Sequence, residues 1–210
     1  MTSSPEFTAV ILAATTGARL FPLTSEDAPK HTLPIAGVPV ILRLLQAVAA
    51  SGFVQCVVAL ANSDSTTLTL LKEELGEQIS QHVFRFQSTM QVTIHILSDE
   101  CAGSGEALRQ IDGVISSNSH VVVLPGDLLV FETSLFTQLV DAHRQSNLTS
   151  VSTACTMLLA DVGEQDEHGV PLKESSKVRS FQKAKMLFIY QVSLTLCFCI
   201  MVAKEGWIGT

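Results

Sequence analysis

The sequence predicts an α/β protein whose mainly parallel sheet is flanked by helices. Three observations carry that prediction. Apolar runs alternate with segments of helical period at least four times. Phe7–Ala13 is continuously apolar and, with Val54–Leu60, reads as a strand buried on both faces, while Gln91–Leu97 alternates through Val92, Ile94 and Ile96. Finally, 210 residues, 47% hydrophobic and 16% charged, suffice for one packed core.

Phe7 to Ala13 is the first such run, rich in β-branched residues. The segment from Ala14 to Pro39 is too broken by proline for a long helix. Pro39 suits a helix first turn, and Val40, Ile41, Leu44, Leu45 and Val48 recur at helical spacing, with Gly52 as the left-handed cap. Val54 to Leu60 reads as the second strand. A helix is expected to fill much of 65–82, followed by a strand at Gln91–Leu97, a helix at Gly103–Ile115 and a strand at Val121–Leu124. Thr133–Gln145 reads as a helix and Val151–Ala160 as a strand. The sequence divides into a domain at 1–160, a polar and basic insertion or linker at 161–185, and an apolar terminal segment at 186–210. Ligands in such sheets bind beyond the carboxyl ends of the strands, so the loops after Ala13, Leu97 and Leu124 are the places to search.

A formal charge of -7 argues against a nucleic-acid surface spread over the domain, which leaves room only for a small anion pocket. The five cysteines, Cys56, Cys101, Cys155, Cys197 and Cys199, are odd in number and lack zinc spacing; a reduced cytosolic setting explains them best. Met1 to Glu6 has no basic stretch leading into an apolar core, so secretory targeting is not expected. The six histidines show no paired ligand spacing, and His31 is expected to have a surface role. Met186 to Ala203 is almost wholly apolar and near the lower limit for a bilayer span; a buried strand is the favoured reading and a membrane segment the alternative.

The first loop is the informative one. A short turn of small residues after a strand can turn backbone N–H groups toward an anion, with Arg19 and Lys30 adding charge. An ordinary loop with two solvated cations remains the alternative on spacing alone.

The residues Leu12, Gly17, Arg19, Leu20, Pro22, Leu23, Thr24, Pro29, Lys30, Leu33, Pro34, Ile35, Gly37 and Pro39 stand in the order of a longer signature. It resembles the opening of sugar-nucleotide pyrophosphorylases, L-A-G-G-x-G-T-R-L-x-P-L-T, then P-K-x-L-x-P-V and G-x-P-L. Gly103 to Arg109 resembles that family's G-T-A-x-A-L segment, and Val121 to Asp127 its strand ending in a metal-binding aspartate. The resemblance implies a Rossmann-like nucleotidyltransferase sheet, with nucleotide contacts at Ala13, Gly17, Gly103 and Ser104. It implies phosphate-directed catalytic roles for Arg19 and Lys30, and magnesium on Asp127.

Two departures shape the expectation of function. Thr15 stands where active members have glycine, and Ala18 where they have threonine or serine. A Cβ at 15 restricts the backbone and crowds a phosphate. Degenerate signatures of this kind resemble the gamma and epsilon subunits of the exchange factor that recharges translation initiation factor two, gamma more closely. That resemblance implies a cytosolic, non-catalytic assembly subunit needing no cofactor, whose partners are the other exchange-factor subunits and, indirectly, initiation factor two. The alternative is an active sugar-phosphate nucleotidyltransferase using magnesium.

Overall fold

The computed structural model describes residues 7–15, 17–101, 103–116, 119–147, 155–158, 172–174, 177–180 and 199–202. In chain order the elements are β1 (Phe7–Ala13), β2 (Pro34–Ile35), β3 (Val38–Pro39), α1 (Val40–Ala50), β4 (Gln55–Ala61), α2 (Ser65–Glu74), β5 (Gln78–Ser80), β6 (Val83–Phe86), β7 (Met90–Leu97) and α3 (Ser104–Ile111). Then come β8 (His120–Pro125), α4 (Ser134–Asn147), β9 (Cys155–Leu158), β10 (Leu172–Glu174), β11 (Lys177–Ser180) and β12 (Cys199–Val202). Eight strands form one sheet in the order β5-β6-β7-β4-β1-β8-β12-β9. The central four, β7, β4, β1 and β8, run parallel, as the sequence predicts.

Every residue of β1 is buried, because helices cover both faces of the sheet. Ala9, Ile11 and Ala13 point to one face, where Ile41, Leu44, Leu45 and Val48 of α1, Leu71 of α2 and Phe136 of α4 pack. Val10 and Leu12 point to the other, against Ala107, Leu108 and Ile111 of α3. The period of two along the strand therefore sorts one apolar run between two cores.

Pro39 caps α1 without entering it, and Gly52 after it is left-handed at φ 84°. The expected helix over 65–82 is corrected: α2 ends at Glu74 and gives way to the antiparallel β5–β6 hairpin. Its second strand alternates, with Phe84 and Phe86 inward and Arg85 outward, and adds to β7. The loop from Ala14 to Pro39 holds two short 3-10 turns, Ala18–Leu20 and Lys30–Thr32, and the small β2–β3 hairpin. Within the expected insertion, β10 and β11 pair as an antiparallel hairpin. Within the apolar terminal run, β12 lies between β8 and β9, antiparallel to both. Among the described residues no helix is long and apolar enough to cross a membrane.

The amino ends of β1 and β8 carry a small aromatic and polar cluster. The His120 ring stacks on Phe7 with centroids 5.3 Å apart, and His143 of α4 meets His120 edge-on. His143 Nδ1 lies 2.9 Å from Thr156 Oγ1. Burial, and then the neighbouring His120, hold the His143 imidazole below the ordinary histidine value of 6.5. A base whose folded value is depressed favours folding while neutral, so this contribution is full above 6.5 and is lost as the pH falls through the folded value. Urea unfolding is expected to show lower stability at pH 5 than at pH 7, and the difference should shrink in His143→Gln.

Candidate functional site

The carboxyl ends of β1, β4, β7 and β8 open on one edge of the sheet, in register: Ala13 faces Leu60, Ala61 faces Leu97, and Leu12 faces Pro125. At about 4.8 Å per strand, the end of β7 lies roughly 10 Å from that of β1. The loops carrying Gly17, Gly103 and Asp127 thus rise from the same edge.

The pair at the centre joins two of those loops. Lys30 Nζ donates to Asp127 Oδ2 at 2.7 Å, with the two side chains 11% and 15% exposed. Both residues stand out in the sequence, but their partnership spans 97 positions and leaves no trace there. Lys30 sits in the 3-10 turn that follows Pro29, and its aliphatic stem runs past Gly17. A Cβ on Gly17 would lie 2.8 Å from that of Lys30. Gly17 is also left-handed, at φ 81°. The glycine and the lysine of the signature are thus one packing unit: the missing side chain makes room for the cationic one. Thr24 Oγ1 donates to Gly17 O at 2.8 Å and fixes the far side of the turn.

Asp127 is aimed by the residue before it. The backbone N–H of Gly126 donates to Leu12 O at 2.8 Å, turning the chain sharply against the end of β1. A Cβ at 126 would fall 2.7 Å from that of Ala13. Ala13, buried within β1, therefore forms the floor of the turn. Arg19 is exposed and makes no ion pair among the described residues. Gly103, at φ 132°, caps α3, and Ser104 is its first residue. The structure brings Lys30 and Asp127 into contact, and leaves Arg19, Gly103 and Ser104 around the same rim.

His31 corrects its expectation, because it is buried, only 1% exposed. Its Nε2 lies 2.9 Å from Asp64 Oδ2 and 2.8 Å from Thr67 Oγ1. Asp64 in turn caps α2, accepting from the Thr67 backbone N–H at 2.9 Å. His31 Nδ1 is buried with no partner among the described residues. Burial pushes the Asp64 carboxyl up, but hydrogen bonds from His31 and Thr67 outweigh it and hold the group below 3.8. The capping residue Asp64, three before the buried Thr67, was the one sequence signal for this clamp. It ties the turn carrying Lys30 to the start of α2. His31→Ala leaves a cavity and a buried carboxylate short of a donor, and is expected to cost about 2–3 kcal/mol in denaturant unfolding.

No group of three or more His, Cys, Asp or Glu side chains converges among the described residues. Within the described residues Asp127 belongs to no self-sufficient metal cage. A magnesium ion held by one carboxylate and by the phosphates of its substrate does fit this donor set.

The glycine-loop argument also changes on the structure. The non-glycine residues with positive φ among those described are Ala36, His82, Gln87 and Ser88. Thr15 is not one of them, and its side chain is exposed. The backbone dihedrals call for a glycine at 17, which is present, and not at 15.

The nucleotidyl transferase family model matches residues 8–183. The chain is 30% identical over 152 residues to the bifunctional protein GlmU of Syntrophomonas wolfei subsp. wolfei, covering 72% of this chain and 29% of that protein. It is 30% identical over 175 residues to the mannose-1-phosphate guanylyltransferase of Mycobacterium tuberculosis, covering 82% and 43%. The chain thus spans less than half the length of these relatives. A Bacillus anthracis structure assigned as a glucose-1-phosphate thymidylyltransferase, in complex with sucrose, superposes with a TM-score of 0.66 at 16% identity, over 95% of this chain and 72% of that one. These findings overturn the expected translation exchange-factor subunit: the relatives at 30% identity are named as GlmU and as a mannose-1-phosphate guanylyltransferase. The expectation that no cofactor is needed loses its support with it. The sheet, the signature loop and the family match from residue 8 to 183 together make this chain a member of the nucleotidyl transferase family.

Proposed function

We propose that this chain is the nucleotide-transferring part of a sugar-phosphate nucleotidyltransferase. The observation that carries the reading is the Lys30–Asp127 pair, 2.7 Å apart at the carboxyl edge of the parallel sheet. It sets a cation and a carboxylate side by side where α/β sheets take their ligands. In the proposed reaction a phosphate oxygen of the sugar phosphate attacks the α-phosphorus of a nucleoside triphosphate. A new P–O bond forms there, the bond to the bridging oxygen breaks, and pyrophosphate leaves with that oxygen.

The residues divide the work by charge. Asp127 is the side chain that would hold magnesium, whose contribution is to draw charge from the phosphates. Lys30, held firmly by its neighbours, meets the charge that grows on the phosphates as the bridging bond breaks. Arg19, exposed on the loop that follows β1, is free to close on the leaving pyrophosphate. Main-chain N–H groups of the turn at Gly17, beside Ala13, would be the donors to the same phosphates. The rim at Gly103 and Ser104 receives the base.

The test is pyrophosphate release. Purified protein is incubated with each common nucleoside triphosphate and a panel of sugar 1-phosphates, with and without magnesium. Release that requires both substrates and the metal is the expected result. Absence of turnover across all pairs would sink the reading.

A further inference from the structure

The ion pair has a second consequence, which rests on the reading above. Asp127 offers one carboxylate, and Lys30 already neutralises it. Its Oδ2 is engaged by the ammonium, while Oδ1 has no hydrogen-bond partner among the described residues. The pair sits in a largely shielded position, with the Lys30 stem wedged against Gly17. A bare dication placed on Oδ1 would lie close to a positive charge, and no group of three or more His, Cys, Asp or Glu side chains converges there among the described residues. A polyphosphate changes the balance. It brings several negative charges, gives the ammonium an alternative partner, and supplies the oxygens that a magnesium-type ion needs beyond one carboxylate.

We propose that Lys30 is the resident counter-ion of Asp127, and that it makes metal binding conditional on a polyphosphate. In the empty site Lys30 occupies the carboxylate. When phosphates arrive with their cation, the ammonium turns to them and Asp127 passes to the metal. The device is a charge exchange between two partners. It keeps a lone dication from lodging at Asp127 in an arrangement that would obstruct the substrate.

The experiment reads metal occupancy, not turnover. Mn2+ is titrated alone into wild-type protein, Lys30→Met and Lys30→Met/Asp127→Asn, with bound and free metal distinguished by electron paramagnetic resonance. Methionine keeps the apolar stem beside Gly17, and thermal melting verifies that each variant is folded. Wild type is expected to bind Mn2+ alone at least tenfold more weakly than Lys30→Met, and the double variant is expected to lose that gain. Equal affinity in wild type and Lys30→Met would overturn the proposal, as would a gain that survives Asp127→Asn. A measurement on wild type alone adds inorganic triphosphate at fixed Mn2+. Protein-bound metal is expected to rise at least tenfold above its value without the triphosphate, and no rise overturns the proposal even if the variants fail to fold. A failed turnover screen together with these metal results would count against the enzymatic reading alone. Turnover with Mn2+ bound equally well in wild type and Lys30→Met would count against the counter-ion alone.

Discussion

Replacing Asp127 with asparagine is expected to lower kcat/KM for nucleotidyl transfer by about 10³-fold while leaving the protein folded. The two side chains share a shape, and the asparagine oxygen can still accept from Lys30 Nζ, which the aspartate engages at 2.7 Å. What disappears is the negative charge, and with it the ability to hold a dication against the phosphates. A thousandfold loss corresponds to roughly 4 kcal/mol of transition-state stabilisation, within the range reported for removal of one preorganised electrostatic group. Melting should register a much smaller change, on the order of 1 kcal/mol, because one hydrogen bond is weakened and not lost. Steady-state kinetics beside a thermal melt distinguishes the two effects. A variant that keeps more than a tenth of wild-type kcat/KM would remove Asp127 from the chemistry.

Gly126→Ala is expected to damage stability and activity together, through a single methyl group. The added carbon would lie 2.7 Å from the Ala13 Cβ, 2.9 Å from the Ala13 Cα and 2.9 Å from the Leu12 carbonyl oxygen. Two of those three atoms are backbone of the central strand and cannot swing aside. Gly126 is not among the glycines with positive φ, so the cost is one of crowding alone. Overpacking of this kind costs about 1–3 kcal/mol, and the rigid neighbours place this site near the upper end. A melting temperature lower by roughly 5–10 °C is expected. Because the same turn aims Asp127, kcat should fall more steeply than the melting shift alone would explain. Ala13→Gly in the same background removes the nearest atom but leaves Cα and the carbonyl, so partial recovery of the melting temperature is the signature of this contact.

Much of the sheet is legible in the sequence because its strands are buried on both faces. Phe7–Ala13 and Gln55–Ala61 have no polar face to blur the run, and the helices between carry strong apolar stripes. The β5–β6 hairpin hides for the opposite reason. Gln78–Ser80 is exposed throughout and carries no hydrophobic pattern, so nothing in the sequence marks the end of the helix before it. The apolar run ending at Ala203 could be read as a strand or a span, since composition fixes neither direction nor partner. Its four paired residues show a strand running against β8 and β9.

The candidate site divides in the same way. Gly17, Lys30 and Asp127 were visible because a signature named them one by one. What the signature does not state is that Gly17 makes room for Lys30, that Lys30 holds Asp127, and that Gly126 sets the angle of approach. Those are relations across 97 or more positions of chain, or between a side chain and an absent atom. As regards the backbone, the expectation at Thr15 fails for a related reason. A pattern marks which residue is unusual, and only the dihedral angles show where a glycine is required. His31 was placed at the surface because a lone histidine gives no hint of the distant Asp64 and Thr67 that enclose it.

The position of β12 bears on how this protein is made. Strand β8, whose end delivers Asp127, is flanked on one side by β1 and on the other by residues 199–202. A ribosome that has emitted only the first 158 residues has released a half-zipped sheet, with the hydrogen-bonding groups of β8 bare along one side and β9 still lacking its neighbour. Such an exposed rim invites the same rim on another nascent chain. For several seconds of synthesis, at the usual ~5–20 residues per second, the part of the molecule nearest the Lys30–Asp127 pair is also the part most open to wrong company.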